Sequence, residues 1–170
     1  MGLISAPEPL LPHHQLQHFD CGKPILNEWL KKKALKAQQT GGSARTYVVC
    51  TEDAQVVGYY ALATGSINRE DAPGKVRRNS PDPIPVVVVG RLAVDRSHKG
   101  KGIGSGLLKD GLLRIVGAAE EIGIRAVLVH TLDENARTFY LKHGFYESPT
   151  DELMVMLTIQ DIQAALRPRM

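Results

Sequence analysis

A glycine-rich run between a predicted strand and a predicted helix holds the residues best suited to chemistry. It is Lys99-Gly100-Lys101-Gly102-Ile103-Gly104. Backbone N–H groups at the start of a helix point out of it and carry positive potential, and residues without side chains let a ligand approach closely. The lysines of the run, with His98 before it, add positive charge. The run therefore predicts a cradle for a pyrophosphate group.

The two best-known nucleotide-binding patterns do not fit this run. A Walker loop requires a glycine at a fixed distance before Gly-Lys-Ser or Gly-Lys-Thr, and neither Lys101 nor Lys109 meets that spacing. The dinucleotide pattern G-x-G-x-x-G fails at its last position, which is Ser105 or Leu107 depending on the first glycine. The alternatives left open are a cradle of another type and a tight strand-to-helix turn that binds nothing.

Composition places the run in an ordinary globular chain. The chain has 170 residues, of which 43% are hydrophobic and 23% are charged, so we expect one domain over residues 1–170. The longest apolar run, residues 84–89, is far shorter than the roughly 20 residues of a membrane span, and the N-terminus lacks a secretory signal. We expect a cytoplasmic protein without a membrane segment.

Charge is distributed unevenly along the chain. Residues 21–110 carry 15 Lys or Arg and 8 Asp or Glu, whereas the last sixty residues carry 6 and 8. Such a bias favours a polyanionic ligand on the basic part. We expect no metal, because His13, His14 and His18 have no ligand spacing with other residues apart from Asp20. Cys21 and Cys50 are interpreted as reduced core thiols.

Periodicity and turn signals predict the elements that position these residues. An opening strand and coil reach Phe19, and a long polar loop covers 68–83. The first predicted helix runs from Pro24 to Gly41, with Ile25 and Leu26 on its apolar face. The next two cover 102–122 and 134–143, the latter capped by Asp133. A last helical turn precedes the basic Arg167 and Arg169. The predicted strands are 46–51, 56–66, 85–94 interrupted at Gly90-Arg91, 126–130, one near Phe145, and 153–157. This order predicts an α/β or α+β fold around a mixed sheet.

Two motifs resemble those of the GNAT acetyltransferases. Gly90-Arg91-Leu92-Ala93-Val94-Asp95 followed by Lys99–Gly104 is similar to the family pattern [Q/R]-x-x-G-x-[G/A] after a strand, with Lys99 where glutamine or arginine is usual. The segment Asn135–Phe145 resembles the second motif. The resemblance implies the GNAT fold and acetyl-CoA as co-substrate. It implies backbone contacts to the pantetheine arm from Leu92, Ala93 and Val94, and further cofactor contacts from Lys99, Gly100, Lys101, Gly102, Ile103, Gly104, Ser105, Asn135 and Phe139.

Most of the chain resembles one group of that family, the GNAT toxins of bacterial toxin–antitoxin modules of the TacT-like type. The similar segments are Phe19–Gly22, Leu26–Leu30, Gly58–Leu62 and Arg77–Asp95. The resemblance implies acetylation of the α-amino group of aminoacyl-tRNA, which blocks translation. It further implies a ribbon-helix-helix antitoxin as partner and a homodimer.

Direct transfer from acetyl-CoA to an amine requires a proton donor for the departing thiolate. By the resemblance, that donor is Tyr140, although an aromatic residue at a helical position is more commonly part of a core. No general base is evident from the residues, and Glu28, Asp95 or a water molecule stay as alternatives. An α-amine with a pKa of about 7.7–8.0 is already partly neutral at pH 7, whereas a lysine amine is not. The substrate class therefore fits a site without a base.

Five basic residues are candidates for contact with RNA phosphate. Arg91 lies inside an apolar strand, where a guanidinium needs an anionic partner, and it is joined by Arg77, Arg78, Lys33 and Lys36. The alternative for the others is a solvated surface.

Two other functions stay as alternatives to the toxin. One is a GNAT enzyme that acetylates a protein or small-molecule amine, and the other is a binding module whose GNAT motif is vestigial.

Overall fold

The computed structural model describes residues 3–166, which form a seven-stranded mixed sheet with helices. The predicted tail residues Arg167 and Arg169 lie outside the described part. The strands are β1 Glu8–Pro9, β2 Arg45–Cys50, β3 Val56–Ile67, β4 Ile84–Val94, β5 Ala126–His130, β6 Tyr146–Glu147 and β7 Met154–Thr158. The helices are α1 Pro24–Lys32, α2 Ala34–Gln39, α3 Gly74–Arg77, α4 Ile103–Ala119, α5 Glu134–Lys142 and α6 Ile159–Leu166, with 3-10 turns at Arg69–Asp71 and Arg96–His98.

The strand order in the sheet is β1-β2-β3-β4-β5-β7-β6. β1 and β2 are antiparallel, as are β2 and β3, β5 and β7, and β6 and β7. β4 and β5 are parallel, with Val86, Val87 and Val88 opposite Ala126, Val127 and Leu128. The prediction of an α/β fold around a mixed sheet is confirmed. Across residues 3–166, no helix is both long and apolar enough to cross a bilayer.

Two compact units make up the chain, and each has its own core. The first unit is Met1–Ala63 with Gly90–Gly111. Its core places Phe19, Trp29 and Tyr59 together with the buried residues of α1. The second unit is Thr64–Val89 with Leu112–Met170, and its core gathers Ile84, Val86, Leu128 and Met156.

The predicted first helix is two helices in the structure. The backbone breaks at Lys33, where φ is −123° and ψ is −28°. The second helix, α2, is tied to the segments around it, because the Gln38 side chain donates to the Leu10 carbonyl at 2.7 Å and accepts from the Thr46 N–H at 3.0 Å. These tertiary bonds set the direction of α2. Ile25, predicted on the apolar face of the first helix, is 63% exposed.

Two other boundaries differ from the sequence prediction. β4 runs without interruption through Gly90 and Arg91, because its backbone stays extended over the whole of Ile84–Val94. α4 ends at Ala119 rather than Ile122. Its last turn tightens into a bond from the Glu120 N–H to the Gly117 carbonyl, a spacing of three residues that ends an α-helix.

The segment 68–83 was predicted as a long polar loop, but the structure folds it onto the second core. Ala72 and Val76 are completely buried, and Ser80 is buried beside them. Arg125, just before β5, holds the segment in place. Its Nε donates to the Val76 carbonyl at 3.1 Å and to Ser80 Oγ at 2.9 Å, and a terminal nitrogen donates to the Lys75 and Arg78 carbonyls at 3.0 and 3.1 Å.

Replacing Arg125 by alanine is expected to lower the free energy of unfolding by about 2 kcal/mol, because backbone carbonyls lose a charged donor. Arg125→Lys retains the charge but not the planar set of donors, so we expect it to recover less than half of the loss. Urea denaturation followed by far-UV circular dichroism measures both variants. Equal stability of all three proteins would show that this guanidinium does not hold the segment.

Candidate active site

The glycine-rich run forms the turn that leads into α4 in the first unit. Gly100 and Gly102 have φ values of +81° and +79°, and a Cβ built on either glycine would meet no atom within 4 Å. The Gly106 N–H donates to the Gly102 carbonyl at 3.1 Å, so the N–H groups of Ile103 and Gly104 precede the helical hydrogen bonds. The space above the turn is open to a ligand, as a phosphate cradle requires.

The lysines of the run differ in their surroundings. Lys99 Nζ donates to the Cys21 carbonyl at 3.0 Å, which fixes the turn to the segment before α1. Lys101 is exposed and has no hydrogen bond or ion pair with any other residue of 3–166. The ammonium group of Lys101 is therefore available to bind a ligand, whereas that of Lys99 uses at least one of its donors within the protein.

The C-terminal end of β4 offers backbone groups to a ligand. The pairing of β4 with β5 covers Val86–Val88 and stops before Gly90. The Asp95 N–H donates to the Val57 carbonyl of β3 at 2.8 Å. Because backbone groups point alternately to the two sides of a strand, the groups of Leu92 and Val94 point away from β3, and those of Ala93 point toward it. Leu92 and Val94 thus carry the predicted backbone contacts better than Ala93 does.

Asp95 was one candidate for a general base, and its environment argues against that role. It accepts hydrogen bonds from the Asp20 N–H at 2.9 Å and from the Ser97 N–H at 3.0 Å, as the cap of the short turn after β4. Partial burial raises the pKa of Asp95, but the hydrogen bonds from Ser97 and Asp20 outweigh it and hold the pKa below its usual value. The carboxylate is a weak base that orders the turn.

In the second unit, α5 carries three of the predicted site residues. The Asp133 side chain accepts from the Ala136 N–H at 2.9 Å, which caps the helix as the sequence predicts. Asn135 is exposed on the first turn, and Phe139 is half-buried. Capping and the helical spacing thus order Asn135, Phe139 and Tyr140 on one short helix.

Tyr140 is only 5% exposed, and its ring contacts those of Phe139 and Phe145 edge to face at 5.1 and 5.3 Å. No group within residues 3–166 forms a hydrogen bond with its hydroxyl. Burial raises the pKa of Tyr140 well above its usual value. A buried phenol that stays protonated and has no partner in the protein is suited to donate its proton to a ligand.

The basic residues proposed to contact RNA fall in both units. Lys33, Lys36 and Arg91 belong to the first unit, and Arg77 and Arg78 belong to the second. All except Arg91 are exposed, and none forms an ion pair with another residue of 3–166. Neighbouring lysines differ, since Lys32 pairs with Glu28 at 3.4 Å and Lys75 pairs with Asp161 at 3.1 Å. The five predicted side chains therefore carry charges that no ion pair within residues 3–166 balances, as does Lys101.

Folding also brings Cys50 to Glu8 and His14, a meeting that the sequence does not predict. Their candidate ligand atoms lie within 4.8 Å of one another. However, His14 Nδ1 accepts from the Leu11 N–H at 2.9 Å, so the ring proton is on Nε2, which lies 2.6 Å from Glu8 Oε1. A metal at Nε2 would need the opposite tautomer. The arrangement fits a buried histidine–carboxylate hydrogen bond rather than a metal centre.

Comparison with known proteins identifies the family of this chain. A family model described as an acetyltransferase (GNAT) domain matches residues 43–147. The chain is 49% identical over 166 residues to the tRNA-acetylating toxin of Mycobacterium tuberculosis. The alignment covers 98% of this chain and 99% of that protein.

Two solved structures have the same fold over nearly the whole chain. AtaT complexed with acetyl-methionyl-tRNAfMet matches with a TM-score of 0.88 and 30% identity, covering 96% of this chain and 99% of that one. A tyrosine-to-phenylalanine mutant of the toxin AtaT, bound to the C-terminus of the antitoxin AtaR and acetyl-CoA, matches with a TM-score of 0.83 and 28% identity, covering 97% and 99%. The resemblance on which the sequence prediction depends is confirmed, and the chain belongs to the GNAT acetyltransferases, among the toxins of that family.

Proposed function

We propose that residues 1–170 form a single GNAT domain that transfers the acetyl group of acetyl-CoA to the α-amino group of aminoacyl-tRNA and thereby blocks translation. The observation that carries this proposal is the 49% identity, over nearly the full length of both chains, to a tRNA-acetylating toxin. The open glycine turn and the unbonded, buried Tyr140 phenol supply the two features that the reaction needs.

Binding of acetyl-CoA would use backbone groups more than charges. The N–H groups at the start of α4 hold the pyrophosphate, with Lys101 adding positive charge. Leu92 and Val94 extend the sheet toward the pantetheine amides, because their backbone groups point away from β3. Asn135, exposed at the start of α5, supplies a side-chain contact.

The transfer itself needs one proton donor. The neutral amine nitrogen attacks the thioester carbonyl, the new C–N bond forms, and the C–S bond breaks as its electrons move to sulfur. Tyr140 gives its proton to that sulfur, and the phenolate regains a proton from water. The amine loses its extra proton to solvent. The apolar surroundings of Tyr140 strengthen its hydrogen bond to the charge that develops on sulfur.

Recognition of the acceptor would depend on charge and shape. Arg91, Arg77, Arg78, Lys33 and Lys36 contact phosphates of the RNA, and no aromatic platform for base stacking is part of this set. We further propose that the protein acts in the cytoplasm as a homodimer and that a ribbon-helix-helix antitoxin neutralises it. The AtaT neighbour, which is bound to the C-terminus of its antitoxin, supports the antitoxin partner.

The rate should depend on the ionisation of the substrate amine and not on that of Tyr140. We expect kcat/KM for charged tRNA to rise with a single pKa of about 7.7–8.0, the value of an α-amine. It should then stay constant to about pH 10, because the raised pKa of Tyr140 keeps its proton in place. Initial rates from pH 6 to 10 measure this profile. A fall in rate between pH 8 and 9 would contradict it.

The direct test mixes purified protein, labelled acetyl-CoA and total charged tRNA. Label on the aminoacyl end of the tRNA, released with the amino acid by mild base, supports the proposed acceptor. Uncharged tRNA is the matched control and should take up no label. If label appears on added proteins or small amines but not on charged tRNA, the acceptor is of another class and the proposal fails.

A further inference from the structure

Arg91 lies over the ring of Trp29. The guanidinium carbon is 4.3 Å from the ring centroid, within the first unit. Arg91 is half-buried, and its side chain forms no hydrogen bond or ion pair with another residue of 3–166. The aromatic face of Trp29 attracts this cation but accepts none of its in-plane N–H groups.

Trp29 is itself held firmly. It is 9% exposed and stacks on Tyr59, with centroids 6.1 Å apart and ring planes inclined by 12°. Tyr59 is fully buried, and its hydroxyl donates to the Leu26 carbonyl of α1 at 2.8 Å. The ring of Phe19 packs edge to face against the ring of Tyr59, with centroids 5.6 Å apart. The indole thus connects the core of the unit to the guanidinium and cannot move freely.

We propose that Trp29 is the positioning residue for Arg91, holding its guanidinium over the indole so that its N–H groups are ready for a phosphate of the RNA acceptor. This inference rests on the proposed function, since it assigns the phosphate to charged tRNA. Stacking restricts a long side chain before the ligand arrives, which lowers the entropy lost on binding. It leaves the planar set of donors for bidentate contact with phosphate oxygens.

The inference differs from a role for Trp29 in stability alone. Substituting a residue that only stabilises the fold can change kcat, the KM for either substrate and the amount of folded protein, without selecting one of them. A residue that acts through Arg91 affects only the binding of the ligand that Arg91 touches. Its effect must also disappear once the guanidinium is gone, because nothing is left to position.

The experiment combines Trp29→Leu with Arg91→Gln in a double-mutant cycle, on the full chain with charged tRNA and acetyl-CoA. We expect Trp29→Leu to raise the KM for charged tRNA about threefold to tenfold, while kcat and the KM for acetyl-CoA change less than about twofold. In the Arg91→Gln background, the same substitution should change the KM for charged tRNA less than about twofold. Trp29→Phe, which keeps an aromatic face, should recover most of the loss.

The salt dependence gives an independent readout. Removing one phosphate contact reduces the slope of log Kd against log salt by about 0.7–0.9, so we expect Arg91→Gln to show that reduction and Trp29→Leu to show part of it. Tyr59→Phe is the matched control, because it disturbs the same aromatic cluster without removing the face under Arg91. It should leave the KM for charged tRNA within about twofold.

The outcomes separate this inference from the proposed function. If the wild-type protein acetylates charged tRNA but the two substitutions have fully additive effects, Trp29 does not act through Arg91 and the inference fails alone. If Trp29→Leu and Arg91→Gln raise the KM for acetyl-CoA instead, the guanidinium binds a phosphate of acetyl-CoA. The inference that Arg91 contacts the RNA acceptor is then wrong. If the wild-type protein neither binds nor acetylates charged tRNA, both proposals fall.

Discussion

Replacing Tyr140 by phenylalanine is expected to lower kcat for acetyl transfer by about 100-fold to 10,000-fold, the usual contribution of a positioned proton donor. The fold should lose little, because the removed hydroxyl has no hydrogen-bond partner within residues 3–166 and the ring contacts with Phe139 and Phe145 are kept. The KM for acetyl-CoA should change less than about threefold, because the loss falls on the transition state. Steady-state kinetics and thermal unfolding measure the two effects.

Tyr59→Phe provides the matched control for this substitution. Tyr59 is also buried, and burial likewise raises its pKa, but its hydroxyl donates to the Leu26 carbonyl. We expect this variant to lose about 1 kcal/mol of stability and to retain its kcat. The opposite behaviour of the two tyrosines would separate chemistry from folding. If Tyr140→Phe kept more than about half of the wild-type kcat, Tyr140 would not be the proton donor.

Gly102→Ala is expected to have the second largest effect. With φ at +79°, an L side chain at this position costs about 1–2 kcal/mol of backbone strain. The new Cβ would also stand in the open space above the turn, where the proposed pyrophosphate binds close to the backbone. We therefore expect the Kd for acetyl-CoA to rise at least about tenfold, equivalent to about 1.4 kcal/mol. Calorimetric titration with acetyl-CoA measures the loss directly.

Gly41 offers the matched control for strain without a ligand. Its φ is +85°, it is exposed after α2, and a Cβ there would likewise meet no atom within 4 Å. Gly41→Ala should lower stability by a similar amount and leave acetyl-CoA binding unchanged. If both variants weakened binding equally, the effect at Gly102 would be a general consequence of strain, and the turn would not be the phosphate cradle.

Much of the fold follows from signals that act within a few residues of one another. Asp133 caps α5 by accepting from a backbone N–H three residues later, and Gly144, with φ at +90°, follows its end. Both are local effects of side-chain length and of a missing Cβ. The strand at 126–130 was predicted from its apolar run and is confirmed without change. The glycine run likewise marks the start of α4 within one residue.

The tertiary structure alone decided where distant residues meet. Gln38 ties α2 to Leu10, 28 residues before it, and Arg125 holds the 68–83 segment through the Val76 carbonyl, 49 residues before it. No local pattern encodes these partners, since a hydrogen bond of this kind depends on the path of the whole chain.

For the candidate site too, some features came from the sequence and others came only from the tertiary structure. Residue types and spacing in the sequence pointed to the glycine turn, and the resemblance to the GNAT motifs pointed to Asn135 and Tyr140. The structure added the burial and unbonded hydroxyl of Tyr140, the hydrogen bonds that make Asp95 a cap, and the stack of Arg91 on Trp29. Spacing and the resemblance together named the residues that are predicted to do the chemistry. The environment of each, and hence its pKa and its free donors, came only from packing, because burial and pairing are properties of the folded chain.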